Sequence, residues 1–131
     1  YLRGQILYRI AEMLEGKRGE LAAAIAATGA KGRKAITPAD EVTLAVDRLV
    51  HYAGWADKYA QVLGCNNPVS GPFYNFTVPE PAGVVAAVCP DERPLLGLVS
   101  AVAPAVVSGN AVVAIASSTN PIPAAIFAEA C

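Results

Sequence analysis

The spacing of hydrophobic positions changes along the chain, and the change divides it. Leu2, Ile6, Ile10, Met13 and Leu14 fall at helical spacing, with Arg3, Arg9, Glu12 and Glu15 on the other side. Gly16 ends this first predicted helix. Residues 20–27 read as an alanine-rich second helix with Leu21 and Ile25 turned inward. Thr28-Gly29 ends it, because glycine tolerates the left-handed conformation that a helix end favours. Residues 31–34 read as a small, solvated basic loop. Thr37-Pro38 opens the clearest helix. Thr37 can cap, Pro38 suits the first helical position, and Asp40 and Glu41 suit the positive end of the dipole. Val42, Ala45, Val46, Leu49, Ala53, Ala56 and Ala60 then form one face, and the spacing predicts a continuous helix as far as Gly64. Tyr52, Trp55 and Tyr59 lie beside that face and read as packing residues.

After a turn-rich connector at residues 65–72 the period shortens. Residues 73–79 (F-Y-N-F-T-V-P) alternate and are β-prone. Pro72, Pro79 and Pro81 assign them to an edge strand or to a strand leaving the body of the domain. An apolar run at residues 83–89 ends at Pro90, and three charges follow: Asp91, Glu92 and Arg93. A helical stretch begins at Pro94, Gly109-Asn110 closes it, and a second apolar run covers residues 111–116. This is strand, loop, helix, turn, strand: one βαβ crossover. Asn120 to Pro123 then opens a last helix, residues 124–131. The predicted class is α/β, with a helical layer (1–64), a strand segment (73–80) and a βαβα unit (82–131). Ligands of such units bind outside the carboxyl ends of the strands. Residues 90–93 and 117–120 are therefore the places to look for chemistry.

Charge and composition narrow the classes. The net charge of −1 over 131 residues gives no basic footprint for nucleic acid or an anionic membrane surface. No charged residue occurs between Pro94 and Ala128. Prolines and the Gly109-Asn110 pair break this stretch into pieces of roughly 15 residues or fewer, short of the ~20 that a membrane span needs. It reads instead as a core covered on both sides. Cys65, Cys89 and Cys131 are unclustered and His51 is the single histidine, so no zinc site is expected. Cysteine usage fits a reducing, cytoplasmic setting. Asn75-Phe76-Thr77 matches a glycosylation sequon that such a setting would leave unused. The chain opens inside an amphipathic helix and stops in a helical segment without a capping residue, so a piece of a longer polypeptide is expected. The expected partner is the remainder of that polypeptide. A homo-oligomer or another protein could add itself through the strand segment at residues 73–78.

Known site motifs are missing from the sequence. The loop after the first parallel strand reads C-P-D-E-R-P-L-L-G, without the glycines that let a backbone approach a pyrophosphate. Neither Gly-Lys-Ser/Thr nor G-x-S-x-G occurs. Asp91 and Glu92 could hold a divalent cation or do acid–base work. More simply, they complement the start of the following helix, with Arg93 neutralising one of them. Cys89 ends an apolar strand just before two acids and reads as a buried, inert thiol.

Four segments carry a resemblance. They are L-R-G-Q-I-L-Y-R-I-A-E-M-L-E-G-K-R-G-E-L-A at the start, H-Y-A-G-W-A-D-K at residues 51–58, P-E-P-A-G-V-V-A-A-V-C-P at residues 79–90, and A-P-A-V-V-S-G-N-A-V-V at residues 103–113. In order and spacing they resemble the amino-terminal, cofactor-binding part of the aldehyde dehydrogenase superfamily. The resemblance implies a Rossmann-like βαβ unit, NAD(P) as the family's cofactor, and Cys89, Pro90, Glu92, Ile115, Ser117 and Ser118 at the family's cofactor-side positions. Where the family has Pro-Trp-Asn-Phe-Pro, whose Asn helps form the oxyanion hole, this chain has Pro90-Asp91-Glu92-Arg93-Pro94. A carboxylate at Glu92 cannot donate a hydrogen bond and would repel an oxyanion. Where the family has Lys-Pro-Ser-Glu, whose Lys and Glu hold the adenosine ribose, this chain has Ile115-Ala116-Ser117-Ser118. The family's catalytic Cys and general-base Glu fall beyond the matching segment, so Cys131 is not the nucleophile and no catalytic residue is expected here. The expectation is a degenerate domain, similar to the additional domain of the family 16 type, that binds no cofactor itself. Its alternative is part of an active NAD(P)-dependent enzyme whose catalytic residues lie elsewhere.

Overall fold

The computed structural model describes residues 1–27 and 36–131. The expected end of the second helix at Thr28-Gly29 and the basic loop at residues 31–34 lie outside them. The element order is α1 (Leu2–Gly16), α2 (Arg18–Ala26), α3 (Pro38–Ala53), α4 (Tyr59–Leu63), β1 (Cys65–Asn67), β2 (Asn75–Thr77), β3 (Val84–Val88), α5 (Pro94–Val107), β4 (Ala111–Ile115) and α6 (Ile122–Glu129). The fold is α/β, as the pattern predicts.

Helix α3 is the hub, packed against α1, α2 and α5. Its start is fixed locally. The Thr37 hydroxyl accepts from the Asp40 N–H at 3.1 Å, and the Asp40 carboxylate accepts from the Thr37 N–H at 3.3 Å, a reciprocal capping box. Its inward face, Val42, Ala45 and Leu49, meets Leu7 and Leu14 of α1, Leu21 of α2, and Leu95 and Val99 of α5 in one core, all almost fully buried. Each of these leucines and valines contributes about 1.5–3 kcal/mol of burial. No helix among the described residues is long and apolar enough to cross a membrane.

In α1 the inward positions differ from the spacing: Leu2 and Ile6 are 71 and 47 % exposed, and Leu7 is buried instead. Three further sequence expectations change. Helix α3 does not run to Gly64; it stops at Ala53. At Gly54, a weak helix former, the bonds tighten: Trp55 N–H donates to Tyr52 C=O at 3.0 Å and Ala56 N–H to Ala53 C=O at 3.2 Å. The chain turns and restarts as the short α4, while Ala53 and Ala56 both stay buried. At this bend the Trp55 indole N–H donates to His51 Nε2 at 3.1 Å. Second, the connector at residues 65–72 begins with strand β1, and the strand expected over residues 73–79 contracts to β2. The two pair antiparallel, Cys65 opposite Thr77 and Asn67 opposite Asn75. Amides hold them: Asn67 Nδ2 donates to Asn75 Oδ1 at 2.8 Å and to Thr77 Oγ1 at 3.2 Å.

The third change concerns the βαβ unit. Strands β3 and β4 pair in parallel, Val84 opposite Ala111 through Val88 opposite Ile115. Gly109 turns the chain into β4 with φ of +96°, a conformation glycine adopts without strain. The Asn110 side chain accepts from the Gly83 N–H at 3.0 Å, which ties the starts of the two strands together. The face bearing Val85 and Ala87 turns toward the helices. The other is open: Val84, Val88, Val113 and Ile115 are 70, 71, 60 and 56 % exposed. Among the described residues the sheet is therefore covered on one side, where the uncharged sequence suggested both.

Candidate functional site

The carboxyl ends of β3 and β4 lie side by side, joined where the Cys89 N–H donates to the Ile115 C=O at 2.9 Å. Two loops leave this edge. The first, residues 90–93, runs into α5; the second, residues 116–121, runs into α6.

Asp91 connects them. Its Oδ1 accepts from the Ser117 hydroxyl at 2.6 Å, the Ser118 N–H at 2.9 Å and the Thr119 N–H at 3.3 Å. Its Oδ2 accepts from the Ser118 hydroxyl at 3.1 Å. The Ser117 bond, then the Thr119 N–H, hold the Asp91 carboxyl below its ordinary range, since donors favour the charged form. Asp91 therefore does not serve the start of α5. It and Glu92 precede the N-cap residue Arg93, and the first turn of α5 contains no acid. Nor does Arg93 form an ion pair with either of them among the described residues.

The carboxylate that does serve α5 comes from α3. Glu41 is 3 % exposed, and its Oε1 accepts from the N–H groups of Leu95 and Leu96 at 3.0 and 3.1 Å. Those are orphan donors of a helix start, where negative charge is also favoured by the dipole. The sequence placed Glu41 at the start of its own helix. An acid at an otherwise apolar position beside Val42 was the only signal of its second role.

The remaining sequence-derived positions sort as follows. Cys89 is buried, and its thiol donates to the Pro94 C=O at 3.0 Å. Burial pushes this thiol up; the backbone of Ser117 and Leu98 opposes the shift, and Asp91 and Glu41 add to it. Its setting lacks the positive, open surroundings that activate a thiol. Pro90 leans on α5 at Gly97, where any Cβ would collide with the proline ring. Glu92 is exposed and unbonded among the described residues. Ile115 points from the open sheet face. Ser117 is 2 % exposed and Ser118 exposed, and both are engaged by Asp91. The structure thus brings Cys89, Pro90, Ser117 and Ser118 together around Asp91, and leaves Glu92 and Ile115 outside that cluster. A separate shallow depression of about 280 Å³ lies between α4 and the β1–β2 hairpin, lined by Gln61, Cys65, Asn66, Tyr74 and Phe76 among others.

Comparison with known proteins agrees with the fold. The model of the aldehyde dehydrogenase family matches residues 1–131. Mitochondrial aldehyde dehydrogenase of Rattus norvegicus is 35% identical over 127 residues, covering 97% of this chain and 24% of that protein. Omega-crystallin of Enteroctopus dofleini is 33% identical over 122 residues, covering 93% of this chain and 24% of that protein. The NAD⁺ complex of an aldehyde dehydrogenase from Bacillus cereus superposes with a TM-score of 0.82 at 29% identity, over 98% of this chain and 26% of that one. The chain belongs to the aldehyde dehydrogenase family, matches its amino-terminal part, and spans about a quarter of the length of these relatives.

Proposed function

We propose that this aldehyde dehydrogenase domain is non-catalytic and serves as a structural or interaction part of a longer protein, of the kind the family 16 type carries as an additional domain. The observation that carries the reading is the Asp91 cluster. The Ser117 and Ser118 hydroxyls and two N–H groups at the mouth of the β3–β4 edge are spent on the chain's own carboxylate. Solved members of the family hold NAD or NADP. The residues here suit neither that ligand nor the chemistry: Ile115 and Ser118 stand where the resemblance calls for the cation and the carboxylate that hold the ribose, and Glu92 brings negative charge where it calls for the oxyanion-hole donor. No chemical step is assigned to them. In this reading the open face of β3 and β4 is covered by the remainder of the polypeptide, since parallel sheets are normally covered on both faces. The segments 1–64, 73–80 and 82–131 are its helical, strand and βαβα parts. The β1–β2 hairpin, with Phe73 and Tyr74 each 74 % exposed, offers an edge to a second chain. Three free thiols suit a cytoplasmic setting.

Calorimetric titration of the intact protein with NAD tests the reading. No heat of binding at micromolar concentrations is expected; micromolar affinity contradicts it.

The intact parallel register of β3 and β4 favours one second reading, part of an active NAD(P)-dependent aldehyde dehydrogenase. It requires turnover by the intact protein that is lost on replacing a cysteine outside this segment.

A further inference from the structure

The turn that receives Asp91 is also held by bonds that do not involve Asp91. Ser117, almost fully buried, accepts at its hydroxyl oxygen from the Asn120 N–H at 3.2 Å. The Asn120 side chain in turn donates to the Ala24 C=O of α2 at 2.9 Å. Asn120 is itself 2 % exposed. The back of the turn is therefore bolted to the helical layer, while its front presents two hydroxyls and two N–H groups that converge on one exposed carboxylate. Converging N–H groups in a turn form a concavity suited to anions. Bonds from such donors to a charged acceptor are among the stronger ones.

We propose that residues 117–119 form an anion cradle that the chain keeps occupied with its own Asp91, so that a small outside oxyanion, a carboxylate first, enters only when Asp91 is withdrawn. The cradle is then closed by a built-in ligand. The depressed Asp91 carboxyl agrees with a donor set matched to the charged form. The proposal shares the Asp91 cluster with the non-catalytic reading, but the two fail separately. NAD binding by the wild-type protein would sink that reading, whereas the experiment below addresses the cradle alone.

The test is chemical rescue with formate, which is the carboxylate of Asp91 without its tether. Thermal unfolding of intact wild type, Asp91→Ala and Asp91→Asn is followed in rising sodium formate, against sodium chloride at equal ionic strength. Asp91→Ala is expected to gain stability saturably in formate over chloride, by on the order of 2–4 °C at about ten times the dissociation constant. Wild type and Asp91→Asn, whose amide oxygen still fills the cradle, are expected to respond to formate and chloride alike. Equal responses of Asp91→Ala to the two salts overturn the proposal. So does a formate response in wild type or Asp91→Asn as large as that of Asp91→Ala. If Asp91→Ala does not accumulate folded, it is refolded in each salt. Native yield recovered in formate and not in chloride supports the cradle; equal yields overturn it.

Discussion

Two carboxylates each collect backbone N–H groups in this chain, under opposite conditions. Glu41 is buried, reaches from α3 to α5 and holds the start of a helix inside the core. Asp91 is exposed, reaches from one loop to another and holds two loops over the end of a sheet. The difference is what happens to the donors when the acceptor goes. Around Asp91, water can replace it. Around Glu41, the Leu95 and Leu96 N–H groups would be left with no acceptor at a buried site, which carries the full desolvation penalty. Glu41 is thus expected to matter for whether the domain folds, and Asp91 for what its mouth admits.

The sharpest break of this comparison is Glu41→Ala. A loss of about 2–4 kcal/mol is expected in denaturant unfolding, and Glu41→Gln, which keeps an acceptor oxygen, should recover most of it. An alanine cost near zero would remove the distinction.

Gly97 lies where the two regions meet, in the second turn of α5 and under Pro90. Gly97→Ala forces Pro90 aside at an expected cost of about 1–3 kcal/mol. It also draws Asp91 off its turn, so removing Asp91 should then cost less than in wild type. A double-mutant cycle measures this; strict additivity would uncouple loop and helix.

Asp91→Ala should lower Tm less than Glu41→Ala, and in a pH-dependent way. The folded-state Asp91 carboxyl is held below its ordinary value, which is about 3.9. Its contribution is complete above that value and is lost as pH falls through the depressed one. The Tm gap between wild type and Asp91→Ala should be full at neutral pH and close on acidification below about pH 4. A gap independent of pH would mean that the charge is idle.

The smallest effect is expected at a third carboxylate. Glu129, exposed at the end of α6, pairs with the half-buried Lys17 that follows α1. The bond raises the lysine, so any contribution is present at neutral pH and is lost only as pH rises through the raised value. Lys17→Met should leave Tm almost unchanged, the more so in high salt.

Much of this architecture is written in hydrophobic period. Ile10, Leu14, Leu21 and Leu49 lie on the faces that helical spacing assigns them, and the runs that became β3 and β4 are visible as apolar blocks; in α1 the spacing singled out Leu2 and Ile6, which are exposed, and passed over the buried Leu7. What escaped the pattern is held by polar groups. Strand β1 is Cys-Asn-Asn and its partner Asn-Phe-Thr, exposed apart from the half-buried Asn67, so no buried face marks their period; side-chain amides hold the pairing. The break in α3 escaped because Ala53 and Ala56 stay on the buried face after the helix has ended. At the mouth, Asp91 and Glu41 were legible as acids at helix starts, a sound local rule. The contacts that overrode it span 26 residues for Asp91 to Ser117 and 54 for Glu41 to Leu95, and one-dimensional spacing carries no record of such distances.

The bend after α3 has a practical consequence. The chain has one tryptophan and one histidine, and the indole of Trp55 donates to His51 Nε2. The bend therefore carries an intrinsic optical gauge: the emission of this indole reports the integrity of the α3–α4 junction, with no label attached.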